Sequence, residues 1–294
     1  LADQDIRFGK WQDVLRDVPD SSVRLILTSP PYDDARDYAG AAEPVDFDGL
    51  ADFALRVLAP GGVLAMVIDG AVSRGALSTT PYEVLVKWAK LPGWNLSQVL
   101  AYGRQGAPGE YKGRFRRDHE PLLVFVREGA PPVVNKDAVA EVSALDVHKS
   151  YNMGRQRERD GSFRQFGVSK DGGIRRTARS IRHRGSIWWY GSVGNGHDPS
   201  CSTGHPATFS ERFATDAVTV WSNPGDLVLD PFTGSGTVAK VAFDLERSFL
   251  GSECVKHYHR LAVDRLHTAI EASNQGQESF NTLFEFGATP DDDA

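Results

Sequence analysis

Cysteine is scarce in this 294-residue chain: Cys201 and Cys254 are the two present, and they cannot form a disulfide framework. A reducing cytosol is therefore the expected compartment. Long apolar runs are absent as well. None approaches the roughly 20 residues of a membrane span, and nothing resembles a signal peptide, so no membrane partner is expected. There is no internal repeat, which excludes a solenoid. A metal site finds no support. His257 and His259 lie two apart, a spacing that does not share a helical face, and no cysteine is placed to complete a site. Charge of one sign is also modest, at a net −6, which by itself speaks against a nucleic-acid partner. Its distribution says the opposite. Residues 151–184 hold nine Arg and one Lys against Glu158, Asp160 and Asp171, a net +7 that leaves −13 for the rest of the chain. One basic face on an acidic body is the pattern of a nucleic-acid binder.

What is present is an alternation of strand and helix patterns. Stretches at 23–28, 63–68, 96–102, 122–126, 227–230 and 248–253 read as strands, and the continuously apolar 63–68 as one buried on both faces. Helical faces recur between them: Leu50, Phe53, Ala54, Val57 and Leu58; Phe213, Ala217 and Trp221; Val238, Val241, Ala242 and Leu245; and a last long helix over 258–272. Pro60-Gly61-Gly62 should end the first of these. Thr80 with Glu83, and Thr208 with Glu211, have the spacing of capping boxes. The alternation predicts an α/β fold with a parallel sheet. Between 128 and 204 it fails. That stretch is rich in Gly, Ser and Arg and too long for an ordinary loop, so it reads as an inserted recognition segment. Trp188 and Trp189 border its basic run. They are expected to pack a small core of the segment itself or to wedge into nucleic acid.

Two stretches carry chemistry. Asp230-Pro231-Phe232-Thr233-Gly234-Ser235-Gly236-Thr237 follows a buried strand and opens a helix. From Gly234 to Ala239 it fits the Gly-x-Gly-x-x-Gly/Ala spacing that lets a ligand approach the backbone between strand and helix. Glycine accepts positive φ, and the helix start offers amides to an anionic group. Glu253 ends the next strand, where an acid can accept hydrogen bonds from ribose hydroxyls. The pattern suits NAD, FAD or S-adenosylmethionine alike, and a plain glycine turn would share it. A P-loop is disfavoured because no Gly-Lys-Ser/Thr follows.

The other stretch is Thr28-Ser29-Pro30-Pro31-Tyr32, also after an apolar run. Two prolines fix φ twice and remove two N–H donors, leaving carbonyls and the Ser29 hydroxyl as acceptors. Tyr32 adds a flat ring. An exocyclic amino group on a nucleobase needs such a setting, because its lone pair is delocalised into the ring and it is a poor nucleophile. Acceptors at Ser29 and the Pro30 carbonyl would orient its N–H bonds and favour rehybridisation toward sp³ as it attacks a methyl group. Tyr32 would stack on the base. Catalysis would then rest on positioning and electrostatics. An ordinary Pro-Pro turn is the plainer alternative.

Together the two stretches resemble the DNA amino-methyltransferase family, the first its catalytic motif and the second its S-adenosylmethionine motif. The catalytic motif comes first in the chain, an order similar to the β class. The resemblance extends to His119-Glu120-Pro121, His205-Pro206-Ala207-Thr208 and Asn223-Pro224-Gly225-Asp226. It implies a Rossmann-like α/β fold of class I methyltransferase type: seven strands in circularly permuted order, mostly parallel, the last one antiparallel, with an inserted target-recognition segment. The corresponding division is 1–128 for the catalytic half, 129–204 for the insert, 205–275 for the cofactor half and 276–294 for a tail.

By the same resemblance Ser29, Pro30, Pro31 and Tyr32 are catalytic. His205, Pro206, Asp230, Pro231, Phe232, Gly234, Ser235, Gly236 and Thr237 surround the cofactor, and Glu253 takes its ribose. The family usually has an acid after the glycine of its first strand; here Gly9 is followed by Lys10. Base flipping is implied, since the target amino group is inaccessible inside a duplex. Arg175, Arg176, Arg179, Arg182 and Arg184 of the insert are the expected DNA contacts.

Serine at the head of the motif is similar to the cytosine-N4 enzymes, which makes N4 of cytosine in double-stranded DNA the expected target and N6 of adenine the alternative. RNA or a protein amide is a further alternative substrate, and a non-catalytic DNA-binding regulator with a vestigial cofactor site is the alternative from another class. Methylation of a ring carbon is disfavoured, since it needs a thiolate in a Pro-Cys context and neither cysteine follows proline. A cognate restriction endonuclease and a homodimer are the further expected partners, in the cytoplasm of a bacterium, an archaeon or a cell hosting a virus.

Overall fold

The computed structural model describes residues 3–31, 44–73, 75–104, 113, 115, 117–142, 155–157, 160, 162–165, 181–190 and 210–287. The chain divides into two compact units, Leu1–Asn135 with Ser186–Ala294, and Lys136–Gly185. The elements begin β1 (Gln4–Phe8), α1 (Trp11–Val14), β2 (Val23–Thr28), α2 (Phe47–Val57) and β3 (Leu58–Val67). A small hairpin follows, β4 (Val72–Ser73) and β5 (Ala76–Leu77), then α3 (Thr80–Trp88), β6 (Trp94–Arg104) and β7 (His119–Arg127). The smaller unit holds a 3₁₀ turn at Lys136–Val139 and the short strands β8 (Glu141–Val142), β9 (Arg155–Arg157), β10 (Phe163–Gln165) and β11 (Ile181–Arg182). The chain returns through β12 (Ile187–Tyr190), α4 (Glu211–Trp221), β13 (Leu227–Asp230), α5 (Thr237–Asp244), β14 (Ser248–Glu253) and α6 (Lys256–Gly287).

One sheet organises the larger unit, in the order β1-β14-β13-β2-β3-β7-β6-β12. Only β7 runs against its neighbours; every other pairing is parallel. The seven-stranded permuted frame is therefore present, and the antiparallel strand is the last of the catalytic half. An eighth strand, β12, is added at the edge, where Ile187 pairs with Ala101 and Tyr190 with Arg104. The central strands are apolar throughout because both faces are covered. Trp11, Leu50, Phe53, Val84 and Trp88 from α1, α2 and α3 share one core with Ile26, Leu64, Met66, Leu123 and Phe125. On the opposite face α4 packs through Phe213 and Trp221.

Several boundaries differ from the sequence reading, each for a local reason. Helix α2 stops at Val57 and the chain is extended from Leu58, so Pro60-Gly61-Gly62 lies inside β3, with Gly61 at φ 73° and a register shift against β2. The cap of α3 is Thr79 rather than Thr80, and its hydroxyl donates to Glu83. Helix α4 begins at Glu211 after Ser210, and Glu211 is used elsewhere. Trp188 belongs to the main core instead of a core of the insert. Its ring stacks on Trp221 at 5.5 Å and 10°, while Tyr190 donates to Asp216 at 2.8 Å. Strand alternation then turns Trp189 to the other face, where it is half exposed.

Candidate active site

Strands β2 and β13 are parallel neighbours, with Leu229 opposite Ile26, so both end at the same edge of the sheet. The Ser-Pro-Pro stretch leaves one and the glycine loop leaves the other. They are joined directly. Thr28 Oγ1 donates to Asp230 Oδ1 at 2.6 Å, a buried bond between residues 202 apart in sequence. Asp230 Oδ1 also accepts from the Phe232 N–H at 3.0 Å. This carboxyl is almost without solvent contact, and burial pushes it up to about 7, with nearby Glu253 adding in the same direction. The bonds from Thr28 and Phe232 pull the other way but do not win. At neutral pH Asp230 thus sits near its own titration point. Ser29 and Pro31 are partly exposed after this buried pair, and Pro30 is buried.

The glycine loop is tightly wound. Thr233 Oγ1 donates to the Asp230 carbonyl at 3.0 Å and the Gly236 N–H to the Thr233 carbonyl at 3.0 Å. Gly236 precedes α5 at φ 79°, and a Cβ there would lie 2.9 Å from the Ala262 Cα of α6. Both the conformation and the closeness of α6 demand glycine. At the end of β14, Glu253 accepts from the Gly234 N–H at 2.9 Å through Oε2 and from the Val255 N–H at 2.8 Å through Oε1. Burial raises this carboxyl too, against those backbone donors. Gly9 meets the same strand end, its N–H donating to the Glu253 carbonyl at 3.0 Å.

Asp230, Pro231, Phe232, Gly234, Ser235, Gly236, Thr237 and Glu253 are thereby gathered at one edge with Ser29, Pro30 and Pro31. Tyr32, His205, Pro206, Arg175, Arg176 and Arg179 lie outside the described residues. Arg182 and Arg184 are described, in the smaller unit, and both turn to one acid. Arg182 Nη2 donates to Glu141 Oε2 at 2.8 Å, and Arg184 Nε lies 3.6 Å from Glu141 Oε1. Part of the expected basic charge is therefore offset within that unit.

Three residues that the sequence did not assign to the site matter here. Thr28 links the two motifs. Arg265 of α6 donates to the Ser235 carbonyl at 3.3 Å and to Thr237 Oγ1 at 3.0 Å, and its other nitrogen binds Glu211. Thr28 stood inside a motif and could have been suspected. The Glu211–Arg265 pair carries no sequence signal, because the partners meet only through the packing of α4 on α5 and α6. Among the described residues no group of three or more His, Cys, Asp or Glu could hold a metal, and no helix is long and apolar enough to cross a membrane.

Comparison with known proteins agrees with this geometry. A family model described as DNA methylase, of the N6/N4 type, matches residues 23–264. The orphan methyltransferase M.BamHII of Bacillus amyloliquefaciens is 31% identical over 265 residues, covering 86% of this chain and 92% of that protein. The solved PvuII DNA methyltransferase, cytosine-N4-specific, superposes with a TM-score of 0.62 at 18% identity, over 93% of this chain and 92% of that one. The M1.HpyAVI complex with SAM gives a TM-score of 0.55 at 20% identity, over 89% and 98%.

Proposed function

We propose that this chain, which belongs to the N6/N4 DNA methylase family, moves a methyl group from S-adenosylmethionine to the N4 amino group of cytosine in double-stranded DNA. Family membership makes it a DNA amino-methyltransferase; the choice of base is the proposal. The observation that carries the reading is the Thr28–Asp230 bond, which holds a cofactor-type glycine loop against a stretch rich in amino-group acceptors.

The site suits the cofactor. Gly234 and Gly236 take positive φ, so the loop turns tightly into a helix start, the kind of terminus that receives an anionic group. Glu253 ends the adjacent strand, the position from which an acid accepts ribose hydroxyls. S-adenosylmethionine supplies a methyl group activated by its sulfonium. The chain's own residues do the rest. The Ser29 hydroxyl and the Pro30 carbonyl accept from the amino N–H groups, holding the nitrogen lone pair toward the methyl. Tyr32 stacks on the flipped base, at a value of about 1–3 kcal/mol. His205 and Pro206 complete the cofactor pocket. Serine rather than an acid at the head of the motif favours cytosine; adenine is the second reading.

Arg175, Arg176, Arg179, Arg182 and Arg184 bring the insert to the DNA, with phosphates taking most of the contacts. A restriction endonuclease blocked by the same modification is the expected partner in the cytoplasm. A homodimer is favoured by one surface. Leu96 and Val99 of β6 share a face with Ile187 and Trp189 of β12, and all four are 38–52% exposed at the sheet edge. A stripe of that kind is what a second copy would cover. The test of the main reading is expression in a host free of DNA methylation, followed by sequencing for modified bases. N4-methylcytosine at one short sequence is expected. N6-methyladenine would replace the base assignment, and unmodified DNA would sink the reading.

A further inference from the structure

We propose that Arg265 is a positioning residue for the cofactor: it fixes the peptide plane between Ser235 and Gly236, and Glu211 in turn fixes Arg265. The inference rests on the cofactor reading of the glycine loop given above. Ser235 stands between Gly234 and Gly236, both at positive φ. Glycine takes either sign of φ at little cost, so the two glycines do not by themselves decide which way the intervening peptide points. Yet its direction decides whether the loop presents N–H groups or a carbonyl to a ligand. The Gly236 N–H of that plane is held by the Thr233 carbonyl at 3.0 Å. Its carbonyl end, on Ser235, is held by Arg265 Nη1 at 3.3 Å, and the same nitrogen reaches Thr237 Oγ1 at 3.0 Å. One guanidinium therefore grips both sides of Gly236.

The grip comes from behind the loop. Ala262, one turn earlier on α6, already lies against Gly236, so Arg265 and Ala262 seat the loop on a single helical face. The guanidinium is itself held. Its Nη2 binds Glu211 Oε1, and Lys240 Nζ approaches Glu211 Oε2 at 3.4 Å while bonding Asp244 at 2.7 Å. The Arg265 side chain is 12% exposed and that of Glu211 25%, so the pair is screened less than a surface ion pair. A planar fork can serve the loop and Glu211 together; an ammonium group cannot span both. Glu211 also opens α4, so the fork ties the loop to the start of that helix.

The experiment is titration calorimetry of S-adenosylmethionine against wild type, Arg265→Lys and Glu211→Gln, with steady-state kinetics and thermal denaturation on the same proteins. Arg260→Gln, an exposed arginine of the same helix, is the surface control. Arg265→Lys is expected to raise the cofactor Kd and cofactor KM tenfold or more, with kcat at saturating cofactor and the KM for DNA within about twofold of wild type. Glu211→Gln should raise the cofactor Kd about threefold, and Arg260→Gln should leave it unchanged. A merely structural ion pair would lower the melting temperature and leave cofactor Kd within twofold, which would overturn the inference. Should Arg265→Lys not fold, an unchanged Kd in Glu211→Gln overturns it equally. Absence of binding by folded wild type would instead overturn the cofactor reading, and this inference with it.

Discussion

Asp230 is the residue on which the site turns, and its environment makes a directional statement about pH. Its folded-state pKa of about 7 lies above the ordinary 3.8, so the folded protein binds the proton more tightly than the unfolded chain. That contribution to stability is fully present below about pH 4 and is lost as pH rises toward 7. The span corresponds to a loss on the order of 4 kcal/mol for this one group. Glu253 is shifted in the same direction. Asp230→Asn is therefore expected to gain stability relative to wild type as pH is raised from 4 to 7, as read by urea denaturation across that range; a constant difference would contradict it. Thr28→Val leaves the same carboxyl one donor short. It should cost about 1–3 kcal/mol of stability, and it should move the Asp230 titration further up. Neither effect was visible in the motif letters, because the bond joins residues 202 apart.

At the scale of elements, the strands that carry the site were legible. The stretches ending at Asp230 and Glu253 became β13 and β14 with those same ends: Leu227-Val228-Leu229 is the unbroken apolar run of a strand buried on both faces, and Phe249 and Leu250 mark β14. Strand β12 was not legible as part of the main sheet. Ile187-Trp188-Trp189-Tyr190 follows a basic run, and its partner β6 lies over 80 residues earlier, so only long-range pairing reveals it. Of the Thr208–Glu211 capping box, Thr208 lies outside the described residues, while Glu211 opens α4 and binds Arg265 and Lys240 from other helices. The glycine loop yields a prediction at this scale. Gly236→Ala places a methyl against the Ala262 backbone at φ 79°. Strain on the order of 1–3 kcal/mol is expected, together with loss of cofactor binding. Calorimetry that found unchanged affinity in a fully stable variant would refute the close approach of α6. Ser29→Ala, by contrast, should leave cofactor affinity intact and lower turnover, since its acceptor acts mainly in the transition state.

At the scale of the whole molecule, an acidic body carries a basic insert, and salt should separate their roles. DNA affinity is expected to fall with salt at a log–log slope of about −0.9 per neutralised phosphate. Replacing Arg175 and Arg176 together should make that slope shallower by up to about two units without changing cofactor affinity. The central claim, that one sheet edge brings an activated methyl to an exocyclic amino group of DNA, is tested most directly by chemistry on the product. Purified protein is incubated with methyl-labelled S-adenosylmethionine and unmodified double-stranded DNA, and the DNA is hydrolysed to nucleosides for mass analysis. Label in N4-methyldeoxycytidine is the expected result; label on a ring carbon, or no label in DNA from a folded, cofactor-binding protein, would contradict the claim.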